Sequence, residues 1–183
     1  MRIISGKARG TKLYSLEGST TRPTLDRVKE SLVNIIQNQV PECTFLDLFS
    51  GSGAIGLEAA SRGANKTILC EKNKAAISII KKNIEKTHLE DKVKLYENSY
   101  ENLLNTINEK FDIIYIDPPY KTDFAYEATN LILKNNLLNE KGTIIIETDE
   151  EERIIKQIEK LKIEIVNRRR YGRVHLVFLE KWD

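Results

Sequence analysis

The clearest chemical signal in the sequence is a carboxylate followed by two prolines and a tyrosine, Asp117, Pro118, Pro119 and Tyr120, directly after the apolar run 113–116. The prolines fix the backbone and remove two N–H donors, so the segment presents a carboxylate and carbonyl oxygens, which accept hydrogen bonds. Tyr120 adds a flat ring on which a planar group can stack. The segment therefore predicts a site for a planar molecule that carries an NH₂ group.

A glycine-rich loop follows an earlier apolar run. Gly51, Gly53 and Gly56 have the spacing GxGxxG, which lets a chain turn tightly and approach a ligand closely between a strand and a helix. Glu71 lies 20 residues beyond Gly51, at the end of the next apolar run, where its carboxylate can accept hydrogen bonds from both hydroxyls of a ribose. The pattern predicts a nucleoside cofactor, and it fits NAD as well as S-adenosylmethionine.

Asp47 favours S-adenosylmethionine, because a carboxylate just before the loop can meet the ammonium of a methionine moiety, whereas a dinucleotide site needs a helix N-terminus for its pyrophosphate. Asn98 is placed to border the adenine and to accept a hydrogen bond from its amine, although a turn asparagine fits the position almost as well. The residues predicted to contact the cofactor are Asp47, Phe49, Ser50, Gly51, Gly53, Glu71, Lys72, Asn98 and Ser99.

The carboxylate segment suits methyl transfer to an exocyclic amine. Such an amine is a poor nucleophile because its lone pair is delocalised into the ring. Asp117 and the Pro118 carbonyl can each accept one N–H bond, which favours a pyramidal nitrogen whose lone pair faces the sulfonium methyl, so that catalysis is mostly orientation. The proton then passes to Asp117 or to water. A base must leave its stack to enter this site.

Apolar runs with strand character alternate with segments of helical spacing. The alternation predicts a parallel sheet with helices on both faces, and the last two strands, with no helix between them, are expected to pair antiparallel around Tyr171 and Gly172. The predicted fold is α/β, Rossmann-like as in class I S-adenosylmethionine-dependent methyltransferases, with a seven-stranded mostly parallel sheet and a C-terminal antiparallel hairpin. Strands are expected at 45–49, 67–70, 93–96, 111–116, 143–146, 163–167 and 174–179, and helices at 54–62, 74–86, 100–107, 125–138 and 151–161.

The first forty residues precede this sheet and are expected to form a small extension on the substrate side. Gly6 and Gly10 break the segment 3–16 into a hairpin, and Thr24 is predicted to cap a helix over 25–38. We assign residues 1–40 to the extension and residues 41–183 to the methyltransferase domain.

Charge is distributed unevenly although the net charge is only +2. Residues 1–30 and 165–175 each carry +4, so the rest of the chain carries −6. Two basic ends on an acidic body fit a polyanion bound at one side, or two solvated basic segments. The 183 residues contain no apolar run near the roughly 20 residues of a membrane helix and no signal-peptide pattern, and the two cysteines lack metal-ligand spacing. We expect a cytoplasmic protein without a metal.

The combination of DLFSGSGAIGLEAASRGA with IIYIDPPY resembles the amino-methyltransferases that act on nucleic acid bases. The stretches RIISGK and TRPTLDRVKE narrow the resemblance to the RsmD family of bacterial 16S ribosomal RNA guanine-N2 methyltransferases, through the patterns RIIxGxxxG and RPTxDRVxE. With a Tyr-Gly pair near the C-terminus, the resemblance covers nearly the whole chain. It implies S-adenosylmethionine as donor and a small ribosomal subunit, rather than bare RNA, as substrate, and we expect a monomer.

The resemblance also implies roles for particular residues. Asp117, Pro118, Pro119 and Tyr120 would be the catalytic motif, and Gly51, Gly53 and Glu71 would hold the cofactor. The substrate RNA side would consist of Arg22, Pro23, Thr24 and Arg27, whose arginines can meet phosphates, although Arg27 also fits a helix surface. The family often shows YGxTxL where this chain has Val174, which lacks a hydroxyl. Arginines 168–170 would add phosphate contacts or form a solvated face.

Three other interpretations remain. The acceptor cluster suits any NH₂-bearing base, so a methyltransferase for adenine or cytosine of DNA or another RNA is the second, although DNA enzymes usually read the grooves with a separate domain that we do not expect here. A non-catalytic nucleotide-binding or assembly protein is the third, and the intact segment 117–120 disfavours it. A Rossmann dehydrogenase is the weakest, and a preference for NADH in calorimetry would support it.

Overall fold

The computed structural model describes residues 1–16 and 23–182. In that part of the chain, helices and strands follow one another in the order α1 (Pro23–Ile35), β1 (Thr44–Asp47), α2 (Ala54–Ser61), β2 (Lys66–Cys70), α3 (Lys74–Thr87), β3 (Val93–Tyr96), α4 (Tyr100–Thr106), β4 (Phe111–Ile116), α5 (Phe124–Lys134), β5 (Leu138–Thr148), α6 (Glu151–Ile158), β6 (Ile163–Tyr171) and β7 (Val174–Lys181).

All seven strands form one sheet in the order β3-β2-β1-β4-β5-β7-β6. The pairs from β3 through β5 are parallel, whereas β7 runs antiparallel to both β5 and β6. The predicted α/β fold, with a mostly parallel sheet and an antiparallel C-terminal hairpin, is confirmed.

The central strands are apolar on both faces because helices cover both. In β4, Ile113 and Tyr115 pack with α1 and α2, while Ile114 and Ile116 pack with α4, α5 and α6. After β1 the chain continues into α2 on one face of the sheet, and after β4 it continues into α5 on the other face. Since β1 and β4 are neighbours, their carboxyl ends border a crevice, the usual ligand site of such sheets.

Several predicted boundaries were wrong. The helix expected over 125–138 ends at Lys134, because Asn136 takes a left-handed conformation (φ 53°) and the N–H of Leu137 bonds back to the carbonyl of Ile132 at 3.0 Å. The chain is then turned into β5, which begins at Leu138 and is longer than the strand predicted over 143–146.

The first helix also differs from its prediction. It begins at Pro23, a residue well suited to a first helical position, so Thr24 lies inside the helix and not at the capping position before it. It ends at Ile35 rather than at residue 38, since a tighter turn follows, in which the N–H of Gln39 bonds to the carbonyl of Ile36 at 2.8 Å.

The segment 1–16 folds back on itself, but with a single antiparallel bridge, between Arg2 and Lys12, in place of a regular hairpin. It packs Ile3, Ala8 and Leu13 against α2. Gly6 has φ +90°, and a Cβ there would lie 1.9 Å from the backbone oxygen of Ser61, so only glycine allows this approach. The division into an extension and a domain at residue 40 stays a prediction.

A buried carboxylate on α2 anchors this segment. Glu58 is 0% exposed and accepts hydrogen bonds from the N–H groups of Ile4 (2.9 Å) and Ser5 (3.1 Å). Its oxygens also lie 3.1 Å from Lys29 Nζ and 2.8 Å from Arg62 Nε. Burial alone would raise the pKa of Glu58, but these two cations hold it below its ordinary value. One side chain thus connects the N-terminal segment, α1 and α2.

Candidate active site

A cavity of about 500 Å³ lies at the carboxyl ends of β1, β2 and β4. It brings together almost all of the residues predicted to act on the cofactor or in catalysis. Gly53 is not in its wall, but its left-handed conformation (φ 84°) and its N–H bond to the Ser50 carbonyl at 2.8 Å form the turn of the loop. The predicted residues in the wall are Asp47, Phe49, Ser50, Gly51, Glu71, Lys72, Asn98, Ser99, Asp117, Pro118, Pro119 and Tyr120.

The glycine loop is held to β2 by hydrogen bonds. Ser50 Oγ donates to the Asp47 carbonyl at 2.9 Å and accepts the N–H of Cys70 at 3.1 Å. Gly51 has φ +58° and donates its N–H to Glu71 Oε1 at 2.9 Å. The loop is therefore fixed against the end of β2 and against Glu71, which follows it.

Glu71 has a defined orientation in the cavity wall. Its second oxygen, Oε2, accepts the N–H groups of Lys72 at 3.1 Å and Asn73 at 2.9 Å. A carboxylate offers about four lone-pair sites, so three backbone bonds leave acceptor capacity for a ligand hydroxyl. The predicted contact with ribose hydroxyls stays a prediction, and the geometry is compatible with it.

Asp47 is buried at the end of β1, and its Oδ2 accepts the N–H of Gly56 at 3.1 Å. Burial raises the pKa of Asp47 to about 7, assisted by the charges of Glu71 and Glu147 and opposed by the Gly56 bond. The carboxyl group is thus poised to ionise when a cation approaches it. An ammonium group in the cavity would supply that cation.

Asn98 and Ser99 lie at the start of α4. The amide oxygen of Asn98 accepts the N–H of Ser99 at 2.9 Å and the Nδ2 of Asn102 at 2.8 Å, and Ser99 Oγ caps the helix through the Asn102 N–H at 3.2 Å. These contacts are those of a turn asparagine. A bond from an adenine amine to Asn98 stays a prediction.

Three aromatic rings form one wall of the cavity. Phe49 and Phe124 are stacked with centroids 6.2 Å apart, and Tyr100 lies 5.2 Å from each of them. Sequence reasoning included Phe49 but missed Tyr100 and Phe124, because their spacing is also that of core residues on the helices α4 and α5. Such a wall suits the flat face of an adenine.

Asp117 follows the last residue of β4 and faces the cavity with Pro118, Pro119 and Tyr120. Tyr120 is 73% exposed at the mouth. Thr122 Oγ1 donates to the Pro119 carbonyl at 2.9 Å, and Lys121 has φ +60°, so the chain turns sharply after the motif. The structure thus holds the acceptor segment in a short, constrained turn.

Glu147 is a site residue that sequence reasoning missed. It lies in the cavity wall at the carboxyl end of β5, and its Oε1 accepts the hydroxyl of Tyr115 at 2.7 Å. Its side chain lies beside that of Asp117, because Ile116 and Ile146 pair across β4 and β5. A signal was present, because Glu147 ends the apolar run 144–146 just as Asp117 ends 113–116.

The predicted substrate side is described in part. Arg22 lies outside the described residues, and of Pro23 and Thr24 the structure describes the backbone in α1 and not the side chains. Arg27 is exposed on α1. The same helix contributes Leu25 and Lys29 to the cavity wall, which places it beside the site.

Two further properties of the described residues concern membranes and metal ions. None of the helices in 1–16 and 23–182 is long and apolar enough to cross a membrane. Over the same ranges, no three His, Cys, Asp or Glu side chains are grouped so that they could hold a metal ion.

Known proteins resemble this chain over most of its length. The family model described as Conserved hypothetical protein 95 matches residues 1–180. The Bacillus subtilis protein YlbH, provisionally named an rRNA methyltransferase, is 38% identical over 154 residues, covering 82% of this chain and 84% of its own. Ribosomal RNA small subunit methyltransferase D of Haemophilus influenzae is 36% identical over 158 residues, covering 85% and 82%.

A solved structure extends the agreement to three dimensions. The Escherichia coli protein yhhF, provisionally titled a methyltransferase, superposes with a TM-score of 0.83 at 26% identity, covering 99% of this chain and 97% of its own. The resemblance to the RsmD family that the sequence motifs predict is confirmed by the named relatives. The chain belongs to the family described as Conserved hypothetical protein 95, the RsmD family, and its relatives and fold make it a methyltransferase.

Proposed function

We propose that this chain transfers the methyl group of S-adenosylmethionine to the N2 amine of a guanine in 16S ribosomal RNA, within an assembled or assembling small ribosomal subunit. One observation carries the proposal. The acceptor segment 117–120 shares a cavity of about 500 Å³ with Glu71 and the glycine loop, so groups suited to an amine and to a nucleoside cofactor face the same space. The ribosomal substrate is supported by relatives named Ribosomal RNA small subunit methyltransferase D.

The residues present fit S-adenosylmethionine. Glu71 keeps acceptor capacity for ribose hydroxyls, the Phe49, Tyr100 and Phe124 wall offers flat faces, and Asp47 becomes a carboxylate beside a cation. When bound, S-adenosylmethionine supplies an electrophilic methyl group on a sulfonium. The chain's own contribution is to bind, to orient the acceptor and to manage its proton.

Asp117 and the Pro118 carbonyl are proposed to hold the substrate amine. Each accepts one N–H bond, and two such bonds leave the nitrogen lone pair directed away from both acceptors. Because Pro118 and Pro119 have no N–H, no backbone donor of these residues competes for the acceptor oxygens. Fixing the amine in this geometry provides the catalytic effect, since in-line displacement depends on the alignment of the reacting atoms.

Tyr120 is proposed to receive the base after it leaves its stack. Its ring is exposed at the mouth of the cavity and follows Pro119 directly, so a base stacked on it has its amine near the acceptor oxygens. Stacking on an aromatic side chain contributes about 1–3 kcal/mol per base, which offsets part of the unstacking cost.

A basic hairpin is proposed to bind the RNA backbone. Thr148 at the carboxyl end of β5 pairs with His175 of β7. The β6–β7 turn therefore lies at the same end of the sheet as Asp117, where the parallel strands have their carboxyl ends. Arg169, Arg170 and Arg173 are exposed there, whereas Arg168 forms an ion pair with Glu151. Exposed arginines at the rim of the site can neutralise phosphates and position the RNA.

The cavity is formed by one chain, so we propose that the protein acts as a monomer. Its ribosomal substrate would place it in the cytoplasm and in ribosome biogenesis. Neither the cavity nor the acceptor segment distinguishes guanine from adenine or cytosine, so the base is the part of the proposal to test first.

The test is labelled methyl transfer from S-adenosylmethionine, offered in parallel to unmodified small ribosomal subunits, protein-free 16S RNA and duplex DNA, followed by digestion to nucleosides. We expect labelled N2-methylguanosine from the subunits. Label in methyladenine or methylcytosine would overturn the choice of base. Absence of label from all three acceptors, with the cofactor bound, would overturn the ribosomal substrate.

A further inference from the structure

Two carboxyl groups meet at the floor of the active site. Ile116 of β4 pairs with Ile146 of β5. The next residue on each chain segment, Asp117 after β4 and Glu147 near the end of β5, therefore lies beside the other. Side chains alternate along a strand, which puts both on the sheet face that carries Tyr115. The side chains of Asp117 and Glu147 are within reach of a mutual hydrogen bond, and the Tyr115 hydroxyl donates to Glu147 at 2.7 Å.

A hydrogen bond between two carboxyl groups requires a proton, because two carboxylates have no donor between them. Asp117 is exposed to the cavity, where other acidic side chains crowd its carboxyl group. Partial desolvation raises the pKa of Asp117 above its ordinary value, and the neighbouring charges of Glu147 and then of Asp47 add to the effect. Burial raises the pKa of Glu147 as well, but the bonds from Tyr115 and Asp117 stabilise its charged form.

We propose that Asp117 and Glu147 act as one singly protonated carboxyl pair, in which Glu147 positions Asp117 and takes over its proton during methyl transfer. The inference rests on the proposed function, because it concerns the same amine site. Asp117 donates through one oxygen to Glu147 and accepts the substrate N–H through the other. The Tyr115 hydroxyl donates a hydrogen bond to Glu147.

The proton transfer balances within the pair. After the amine nitrogen has formed its bond to the methyl carbon, the nitrogen is cationic. Asp117 takes one proton from this nitrogen at its open oxygen as it passes its own proton to the Glu147 carboxylate. The nitrogen becomes neutral, the negative charge of the pair is lost, and both carboxyl groups end protonated until one proton leaves to water.

The surroundings contain no strong counter-charge to this pair among the described groups that face it. β1 contributes Asp47 and β4 contributes Tyr115, while β7 places the apolar Leu176 opposite Glu147. Lys72 lines the cavity and Lys121 the adjoining groove, and neither is among the charges that shift the pKa of Asp117 or Glu147. Two further cations are held in ion pairs with other groups. Lys29 in the cavity wall binds Glu58, and Arg153 of α6, in the adjoining groove, binds Asp123 and Glu150.

Infrared spectroscopy tests the shared proton without any substrate. The carbonyl stretch of a protonated carboxyl group is separate from that of a carboxylate. The spectra are compared at about pH 7.5 in an Asp47→Asn background, because Asp47 has a pKa of about 7. We expect a protonated-carboxyl band that disappears in both Asp117→Asn and Glu147→Gln. Glu127→Gln is the matched control, since Glu127 also accepts a tyrosine hydroxyl, that of Tyr100 at 2.5 Å, away from Asp117.

Kinetics test the positioning role. Glutamine at 147 can accept from Tyr115 and donate to Asp117, so kcat of Glu147→Gln should stay within about tenfold of the parent, with Asp117 now ionised and taking the proton itself. Glu147→Ala removes both hydrogen bonds, and kcat should fall about 100-fold, the lower range for general acid–base effects, with the Kd of S-adenosylmethionine unchanged.

The outcomes separate the inference from the proposed function. A band that persists in Glu147→Gln, or its absence from the parent, overturns the shared proton whatever the substrate proves to be. Equal kcat for the alanine variant and the parent overturns the positioning role. A band that behaves as expected in a protein that methylates none of the offered acceptors supports the pair and overturns the ribosomal substrate.

Discussion

Replacing Glu58 by glutamine should destabilise the fold more than any surface substitution, although the two side chains have the same shape. The carboxylate is fully buried and meets two cations, Lys29 at 3.1 Å and Arg62 at 2.8 Å, besides two backbone N–H groups. Breaking a buried ion pair by removing one charge costs about 3–5 kcal/mol, because the other charge is left uncompensated. We expect a loss in this range for Glu58→Gln.

The fully buried charge left behind is that of Lys29, which is 2% exposed, whereas Arg62 is 12% exposed. Lys29 Nζ would retain the Arg2 carbonyl at 3.0 Å but lose its carboxylate. Burial already lowers the pKa of Lys29 and Glu58 opposes that shift, so in the variant the amine would release its proton more readily. Neutralisation limits the cost, which keeps it near the stated range rather than above it.

Thermal unfolding followed by circular dichroism measures the effect. With an unfolding entropy of about 2.1 cal/mol/K per residue, 183 residues give about 0.4 kcal/mol/K, so the expected shift in Tm is roughly −8 to −13 °C. Glu97→Gln is the control, because Glu97 and Lys81 form an exposed pair at 3.3 Å. An exposed ion pair contributes less than about 1 kcal/mol to the free energy of unfolding, so the control should lower Tm by less than about 3 °C.

A double-mutant cycle decides whether loss of the buried Lys29–Glu58 ion pair causes the destabilisation. In Lys29→Met/Glu58→Gln the fully buried cation is removed together with its counter-charge, and only the partly exposed Arg62 loses its carboxylate, so the double variant should be more stable than the sum of the two single losses predicts. Losses that simply add, or a Glu58→Gln protein that melts within about 2 °C of the parent, would refute the reasoning.

Three further predictions concern the site. Asp117→Ala should abolish methyl transfer and leave S-adenosylmethionine affinity nearly unchanged in calorimetry; loss of cofactor binding would mean that Asp117 belongs to the cofactor site. In the free protein Asp47 is protonated below pH about 7, whereas a bound ammonium favours its charged form. Cofactor affinity should therefore rise by up to about tenfold per pH unit as the pH increases towards 7, and Asp47→Asn should flatten this dependence. An unchanged slope in the variant would contradict the interaction with the ammonium. Arg169→Ala and Arg173→Ala should weaken RNA binding. The slope of the logarithm of the binding constant against the logarithm of salt concentration should become shallower by about 0.7–0.9 for each phosphate that is no longer neutralised. Lys110→Ala, at the amino end of β4 and so at the opposite end of the sheet, should match the parent.

The fold was predictable because the strands are short apolar runs that end in recognisable residues. β4 ends at Ile116 as predicted, since Asp117 and two prolines cannot continue a buried parallel strand. The end of α5 was not predictable from spacing, because the apolar residues Leu137 and Leu138 continue the helical pattern although Asn136 has already turned the chain. A single left-handed residue outweighed the periodicity there.

Residues of the candidate site could be predicted where the residue type and its position between strand and helix together indicate one kind of contact. The glycines of the loop and the carboxylate Glu71 are of this kind, and the cavity contains Gly51 and Glu71 as expected. Glu147 was missed because its meaning comes from its neighbour across the sheet, and strand order is not visible in a linear sequence. Glu58 was missed because a glutamate in the helical run GLEAASRG looks like an ordinary surface residue.

The anchoring of the N-terminal segment on α2 limits how modular this protein can be. Gly6 fits only against the backbone of Ser61, and the N–H of Ala8 binds Ser61 Oγ at 2.9 Å, while Ile4 and Ser5 depend on Glu58. The helix that carries Glu58 and Ser61 begins directly after the glycine loop. Residues 1–40 therefore cannot be exchanged between methyltransferases as an independent cassette, and a working chimera must carry α2 along with them.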